Sequence, residues 1–313
     1  MTRKRSFRIG TRGSRLALWQ AERVSALISS AFPDVAPSIV KIRTTGDRIQ
    51  NAPFAQIGGK GVFVKEIEEA LLDGRIDIAV HSLKDMPVEL PPGLALTGVL
   101  ARQSPLDALC ARGGRTLSSL PPSARVGTSS TRRTAQLLHL RPDIEVVPVR
   151  GNVDTRLRKL ETEGLDAVVL AYAGLERMGL ESAATEVLDP DLMLPAPGQG
   201  IVALEGREDD ETAARIAAAI CDRPTLVVAQ AERAFLKRVG GGCQAPVGCL
   251  ATLEDGGDTI AVRGLVATTD GARIAREEAS GPAAEHVGVA RRAAEGVLER
   301  GGGDILRQIY SDT

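Results

Sequence analysis

The chain carries the same strand–turn–helix pattern twice, and such a repeat restricts it to architectures of parallel strands joined by helical crossovers. Arg8-Ile9-Gly10-Thr11-Arg12-Gly13-Ser14-Arg15-Leu16-Ala17-Leu18 reads as a short strand, Gly-Thr, a polar cap and a helix. Arg125-Val126-Gly127-Thr128-Ser129-Ser130-Thr131-Arg132-Arg133-Thr134-Ala135 reads the same way. A second echo pairs Gly74-Arg75-Ile76-Asp77-Ile78-Ala79-Val80 with Gly164-Leu165-Asp166-Ala167-Val168-Val169-Leu170, each a strand after a helix ending in glycine. Two similar α/β units follow one another. Open parallel sheets bind ligands outside the carboxyl ends of their strands, where Arg12, Lys84, Arg132 and Arg150 all fall. With two units, those ends can face each other across a cleft.

Pro and Gly interrupt the pattern near 101–106 and 194–200, which marks the crossings between units. A strand over 201–205 and a helix over 209–220 return the chain to the first unit. The expected domains are 1–99 with 200–219, then 105–194, then 223–313. After Pro224 the pattern becomes a helix over 225–238, three strands near 247–253, 259–267 and 273–279, and a helix over 283–300. Asp255-Gly256-Gly257 and Asp270-Gly271 supply the turns of this antiparallel meander.

Arginines stand where a helix dipole disfavours them by a few tenths of a kcal/mol or more, in the first turn after Ser129-Ser130 and in Arg150-Gly151-Asn152-Val153-Asp154-Thr155-Arg156 with Asn152 as cap. An anion among the exposed N–H groups, hydroxyls and guanidinium forks accounts for both, so each reads as a carboxylate or phosphate cradle. Solvated surface arginines beside ordinary caps are the competing explanation.

The anion is small. A formal charge of -1, from 39 basic and 40 acidic side chains, supplies no field to attract nucleic acid, and 3% aromatics supply no stacking platform. The basic start is followed by Ile9-Gly10-Thr11-Arg12 and not by an apolar stretch, and no run of 18 apolar residues occurs, so a cytoplasmic location is expected. Cys110, Cys221, Cys243 and Cys249 show no C-x-x-C pairing and His81, His139 and His286 are scattered, which supports neither a metal site nor a disulfide framework.

Val80-His81-Ser82-Leu83-Lys84-Asp85-Met86-Pro87 ends a strand and places Asp85 among cations, where it stays ionised. Such a carboxylate stabilises a developing cation 4 Å away by about 4 kcal/mol at an effective dielectric of about 20. Gly240-Gly241-Gly242 clears the approach to Cys243, which suits an exposed or covalently used thiol, although a lone cysteine is more often buried and inert. Trp19, at helical spacing from Leu16, Val24, Leu27 and Ile28, reads as core. His81 reads as a packed polar residue before a general acid. Residues 51–62, with Gly58, Gly59 and Gly61, read as a loop or lid.

Five blocks in order resemble the porphobilinogen deaminase family: Ala79–Pro87, Gly127–Arg133, Arg150–Arg156, Pro197-Gly198-Gln199-Gly200 and Gly241-Gly242-Cys243-Gln244-Ala245-Pro246. The resemblance runs from about Phe7 to the C-terminal helix. It implies two periplasmic-binding-protein-like α/β domains with a hinge and a C-terminal α+β domain holding a three-stranded antiparallel sheet. It also implies a monomeric, cytoplasmic transferase that joins four porphobilinogen molecules head to tail, releases four ammonia and yields hydroxymethylbilane. The primer is a dipyrromethane cofactor in thioether linkage to Cys243.

By the same resemblance, Asp85 faces the pyrrole N–H groups and the azafulvenium cation left by ammonia. Ser82, Lys84, Asp85, Thr128, Ser129, Ser130, Arg132, Arg133 and Arg150 hold the cofactor. Arg12, Ser14, Arg150, Arg156, Arg177 and Gln199 hold the substrate, and Lys60 and Phe63 belong to the lid. Gln56 stands where many relatives carry lysine. Two other readings stay open at this point: a small-anion binding protein without chemistry, and a regulatory nucleic-acid binder using Arg132, Arg133, Arg150, Arg156 and Arg158.

Overall fold

The computed structural model describes residues 5–44, 64–240 and 245–311. Its strands are β1 (Arg5–Thr11), β2 (Val35–Lys41), β3 (Ile78–Ser82), β4 (Leu94–Val99), β5 (Asp107–Ala111), β6 (Arg125–Gly127), β7 (Glu145–Val147), β8 (Ala167–Ala171), β9 (Glu186–Leu188), β10 (Val202–Arg207), β11 (Val247–Glu254), β12 (Thr259–Ala267) and β13 (Ile274–Pro282). The helices are α1 (Arg15–Ala31), α2 (Lys65–Leu72), α3 (Thr131–Leu140), α4 (Val153–Thr162), α5 (Tyr172–Met178), α6 (Glu211–Ile220), α7 (Arg223–Val239), α8 (His286–Val297) and α9 (Gly303–Ser311). Two compact units form, Met1–Arg102 with Ile201–Leu226, and Gln103–Gly200 with Val227–Thr313.

The first unit is a sheet in the order β2-β1-β3-β10-β4, with β1 parallel to β2 and β3 and with β10 antiparallel to β3 and β4. The second contains a sheet in the order β7-β6-β8-β5-β9, in which β5 is the antiparallel strand. The two sheets coincide strand for strand in order and direction. A three-stranded antiparallel sheet, β11-β12-β13, packs its core against α7, α8 and α9.

The duplication extends to single hydrogen bonds. Arg8 N donates to Asp77 Oδ2 at 2.6 Å and Arg125 N to Asp166 Oδ2 at 2.8 Å, and each aspartate N returns a 2.9 Å bond to its arginine's carbonyl. Asp77 therefore corresponds to Asp166, and Ile78 to Ala167. The sequence echo aligned on Gly74 and Gly164 is one residue out of register, because the turn after α4 is one residue shorter. One residue matters, since it exchanges the two faces of a strand.

On β3, Ile78 and Val80 join the core under α1 and α6, whereas Ala79 faces Ile67, Ala70 and Leu71 of α2. On β8, Ala167 and Val169 face one core and Val168 and Leu170 the other. Trp19 is half-buried and the buried stripe of α1 is Gln20, Ala21, Val24 and Ile28, so Trp19 is not the core residue its spacing indicated. The helix expected over 283–300 is also revised. It ends in a wide turn at Leu298–Gly302, where Gly301 takes φ 101°, and the chain continues into α9, which buries Ile305 and Leu306.

Candidate functional site

In the first unit, β1 and β3 lie side by side and end together, so the turns that follow them build a common site. Ser14 caps α1 by accepting from Ala17 N at 3.2 Å, which fixes the Arg12-Gly13-Ser14 turn. After β3 a single 3-10 turn, Leu83–Asp85, is pinned by Leu83 N donating to Ile201 O at 3.0 Å. Arg12, Ser14, Gln20, His81, Ser82 and Asp85 line the resulting cavity, closed on its apolar side by Leu16, Ala17, Val64 and Val80. Gln20, buried in α1, donates to Ser82 Oγ at 2.9 Å. Asp85 and Lys84 are exposed at its edge. A guanidinium and a carboxylate opening onto one cavity suit a ligand bearing both a carboxylate and a positive centre.

Behind this cavity lies a second ionisable group. His81 Nε2 is 2.9 Å from Glu205 Oε2, at 4% and 0% side-chain exposure, yet the ring N–H is not aligned with the contact and neither Glu205 oxygen accepts a hydrogen bond from a described residue. Glu68 of α2 is buried beside them, and burial first, then Glu205, pushes its carboxyl up to about 7, with His81 opposing and Glu69 adding.

The second unit treats its arginines differently. Ser130 caps α3 by accepting from Arg133 N at 3.4 Å, and Thr128 Oγ1 accepts from Ser130 N at 3.2 Å. Arg132 and Arg133 are nevertheless buried, and both turn onto Asp107 at the start of β5. Arg132 Nη1 donates to Oδ2 at 2.7 Å; Arg133 Nη2 and Nε donate to Oδ1 at 2.6 and 3.1 Å. Gln199 Nε2 adds a fourth bond at 2.9 Å. The two cations hold the Asp107 carboxyl far below the usual carboxylate range against the cost of burial. An open anion cradle at this helix start is thus corrected: the protein's own carboxylate fills it. Arg132 Nε alone, buried and without an acceptor among the described residues, is left over.

The remaining residues divide. Ser129 Oγ donates to Val149 O at 2.9 Å. Asn152 occupies the cap position of α4 without a side-chain capping bond, and Arg156 lies a full turn inside that helix, its Nε on Gly151 O at 2.8 Å, so the second cradle is not a capped first-turn arginine either. Arg150 and Arg156 are half-buried. Arg177 is buried in α5 and donates to Gln103 Oε1 and, at 2.7 Å, to Gly200 O, and desolvation lowers it to about 10. Arg177 and Gln199 therefore tie the two strand-crossing segments together. Gly200 is required there: at φ 85° a Cβ would lie 2.4 Å from Gln103 O. Glu232 of α7 closes the same region, accepting from Gly198 N at 2.5 Å and Ala251 N at 2.9 Å. Lys60, Phe63, Gln56, the loop over 51–62 and Cys243 lie outside the described residues. Of the other cysteines, Cys110 and Cys249 are buried, and burial pushes the Cys110 thiol up to about 11.

Sequence reasoning missed Glu68, Asp107 and Glu205. The latter two had a visible signal, each being an acid set against an apolar strand, in Asp107-Ala108-Leu109-Cys110-Ala111 and Val202-Ala203-Leu204-Glu205.

Comparison with known proteins places these features in a family. The family model described as "Porphobilinogen deaminase, dipyromethane cofactor binding domain" matches residues 7–215, and "Porphobilinogen deaminase, C-terminal domain" matches 226–299. A porphobilinogen deaminase from Syntrophotalea carbinolica is 50% identical over 96% of this chain and 95% of its own length. One from Pelobacter propionicus is 49% identical over 98% of both, and one from a Roseiflexus species 49% identical over 97% and 99%. A solved periplasmic sulfonate-binding protein from Methylobacillus flagellatus aligns over 77% of this chain and 69% of its own at 16% identity, with a TM-score of 0.38, and the strand order above describes the fold without it. The chain belongs to the porphobilinogen deaminase family, transferases of tetrapyrrole biosynthesis whose larger domain binds a dipyrromethane cofactor.

Proposed function

We infer that this chain joins four porphobilinogen molecules head to tail into hydroxymethylbilane, with the Arg12–Asp85 cavity of the first unit as the place where each substrate reacts. The observation that carries this assignment is the pairing in one cavity of a guanidinium with a carboxylate to which, among the described residues, no cation is bonded in the fixed manner of Asp107. Porphobilinogen arrives with acetate and propionate groups and an aminomethyl group. Arg12 and the Ser14 hydroxyl take its carboxylates, charge-assisted bonds of about 1.5–3 kcal/mol each. Asp85 lies against the pyrrole N–H and stabilises the cation that develops as the carbon–nitrogen bond breaks and ammonia leaves with the bonding pair.

The residues also fit a dipyrromethane. Its carboxylates call for donors left over after folding, and Arg132 Nε is a buried donor of that kind. On the family resemblance alone, Lys84, Arg150 and the side chains of Ser82, Thr128, Ser129 and Ser130 are assigned to the set that would hold it, and Arg133 acts by fixing Asp107 and Arg132. When bound, this group supplies the nucleophilic pyrrole carbon from which the product grows. Cys243 is assigned as its thioether anchor and Lys60 and Phe63 as lid residues on the family resemblance. Arg156 remains a substrate-binding residue in this reading, while Arg177 and Gln199 serve by holding the crossing segments. The protein is assigned as a cytoplasmic monomer without nucleic-acid or membrane partners; among the described residues no helix is long and apolar enough to cross a membrane.

Intact mass of the purified chain and of Cys243→Ser, before and after porphobilinogen, tests the assignment. A wild-type excess of two linked pyrrole units, absent from the variant, with stepwise increments on adding substrate, supports it. Bare polypeptide masses for both, unchanged by substrate and with no ammonia released, would overturn it.

A further inference from the structure

Each condensation replaces a carbon–nitrogen and a pyrrole carbon–hydrogen bond by a carbon–carbon bond. Ammonia leaves with the pair of its broken bond. The free α-carbon of the preceding pyrrole unit forms the new bond, then loses its proton while the carbon–hydrogen pair restores the aromatic ring. Passed to the released ammonia, that proton gives ammonium and closes the balance, a transfer that a group near Asp85 able to accept and release a proton would serve.

The two α/β units supply an internal control for finding such a group. Sheet register makes His81 the counterpart of Leu170 and Glu205 that of Cys110, since Ser82 pairs with Val202 as Ala171 pairs with Asp107. In the second unit this layer is apolar: Leu170 and Cys110 pack with Ala108, Val149, Leu165 and Val168. The first unit spends the same layer on an imidazole and a carboxylate, and brings Glu68 to them from α2. Packing alone does not call for this, because a buried ionic cluster is commonly no more stable than an apolar one of equal volume. Incomplete hydrogen bonding makes the contrast sharper. Both Glu205 oxygens, His81 Nε2 and Glu68 Oε1 are buried without hydrogen-bond partners among the described residues. His81 also lines the cavity that Asp85 opens onto.

We propose that Glu68, His81 and Glu205 form a proton-holding unit of this site, in which His81 takes the α-carbon proton of each condensation and passes it to the ammonia already released, giving ammonium. Glu205 is the positioning residue that faces the imidazole at 2.9 Å. Glu68 sets how many protons the cluster holds, its carboxyl standing at about 7. The other charges on the elements packed around α2 are Lys65, Glu66 and Glu69 on α2 itself, with Lys65 4.0 Å from Glu69, Arg5 and Arg8 of β1, the latter bonded to Asp77, and Arg207 of β10 bonded to Asp210 and to the carbonyls of Leu71 and Ile76, while β4 has none. The inference rests on the assignment of the cavity as the reaction site.

Two readouts test it on the full-length chain. Infrared difference spectra across about one unit either side of pH 7 report protonated carboxylic acids without any turnover. A carbonyl band that titrates there, vanishes in Glu68→Gln and shifts in His81→Asn is expected; a spectrum with no band dependent on Glu68 would overturn the proposal. Turnover of porphobilinogen deuterated at its free α-carbon is the second. His81→Asn should lower kcat by about 100-fold, the scale of a lost acid–base group, leave KM within a few-fold and expose a primary isotope effect absent from the wild type. Should His81→Asn fail to fold, Glu205→Gln carries the same expectation at a smaller loss. Variants with wild-type kcat, pH profile and isotope effect would contradict the inference alone, whereas a wild-type chain that released no ammonia would remove the reading beneath it.

Discussion

In the second unit the buried carboxylate, Asp107, accepts hydrogen bonds from Arg132, Arg133 and Gln199. In the first, Glu205 is as deeply buried and accepts none from a described residue. Both acids sit on the antiparallel strand of sheets with identical strand order, three residues apart in equivalent register. A satisfied network at low dielectric rigidifies its surroundings, and here it locks the crossing segments around Gln103, Asp107, Gln199 and Gly200. An incompletely bonded cluster is costly and persists where its protonation is used. The same scaffold thus carries one buried charge group for structure and another for chemistry.

The comparison breaks most visibly at Asp107. Asp107→Ala leaves two buried guanidiniums without their counter-charge and should cost about 3–5 kcal/mol in urea unfolding, with loss of cooperativity in the second unit before the first. If the cost were near zero, the network would not hold the crossings.

Glu68 gives the opposite sign. Its carboxyl is raised from 4.5 to about 7 on folding, so the folded chain binds more protons than the unfolded one within that window. Stability from this group is full below the unfolded value, declines as pH rises through the window and is level above it, by at most about 3 kcal/mol. Glu68→Gln should therefore be more stable than the wild type at pH above about 8 and flatten the decline. A thermal-unfolding series from acid to mild alkali reads both.

Asp77 and Asp166 sharpen the equivalence of the units. Each receives the backbone N–H of the arginine opposite, and Asp77→Asn and Asp166→Asn should each cost about 1–3 kcal/mol, with Asp77 the costlier by less than about 1 kcal/mol because it also accepts from the half-exposed Arg8 guanidinium. A large inequality would show that the duplicated pair has diverged in role. At the bottom of the scale, Arg263→Ala removes exposed contacts to Asp191 and Glu278 and should change stability by less than about 1 kcal/mol.

The strand–Gly-Thr–cap–helix pattern was legible because caps, glycines and alternation are local properties. Ser14 and Ser130 cap the helices as read, and β12 runs over the residues expected between the Asp255-Gly256-Gly257 and Asp270-Gly271 turns. The register of the second echo was not legible, since it depends on a turn length that only pairing with β1 and β6 fixes. Arg132 and Arg133 were correctly singled out as unusual, but their partner is Asp107, 25 and 26 residues away, and no local pattern shows that a counter-ion comes from the chain itself. The His81–Glu205 contact spans 124 positions and was invisible for the same reason.

Asp85→Asn separates a reaction at Asp85 in the Arg12 cavity from a reaction elsewhere. Intact-mass spectra of that variant, taken over time after adding porphobilinogen, should retain the two-pyrrole excess of the wild type and gain further pyrrole units at least about 100-fold more slowly, the scale of a lost electrostatic group at a developing charge. Increments at the wild-type rate would contradict a reaction at Asp85 and move the chemistry away from this cavity.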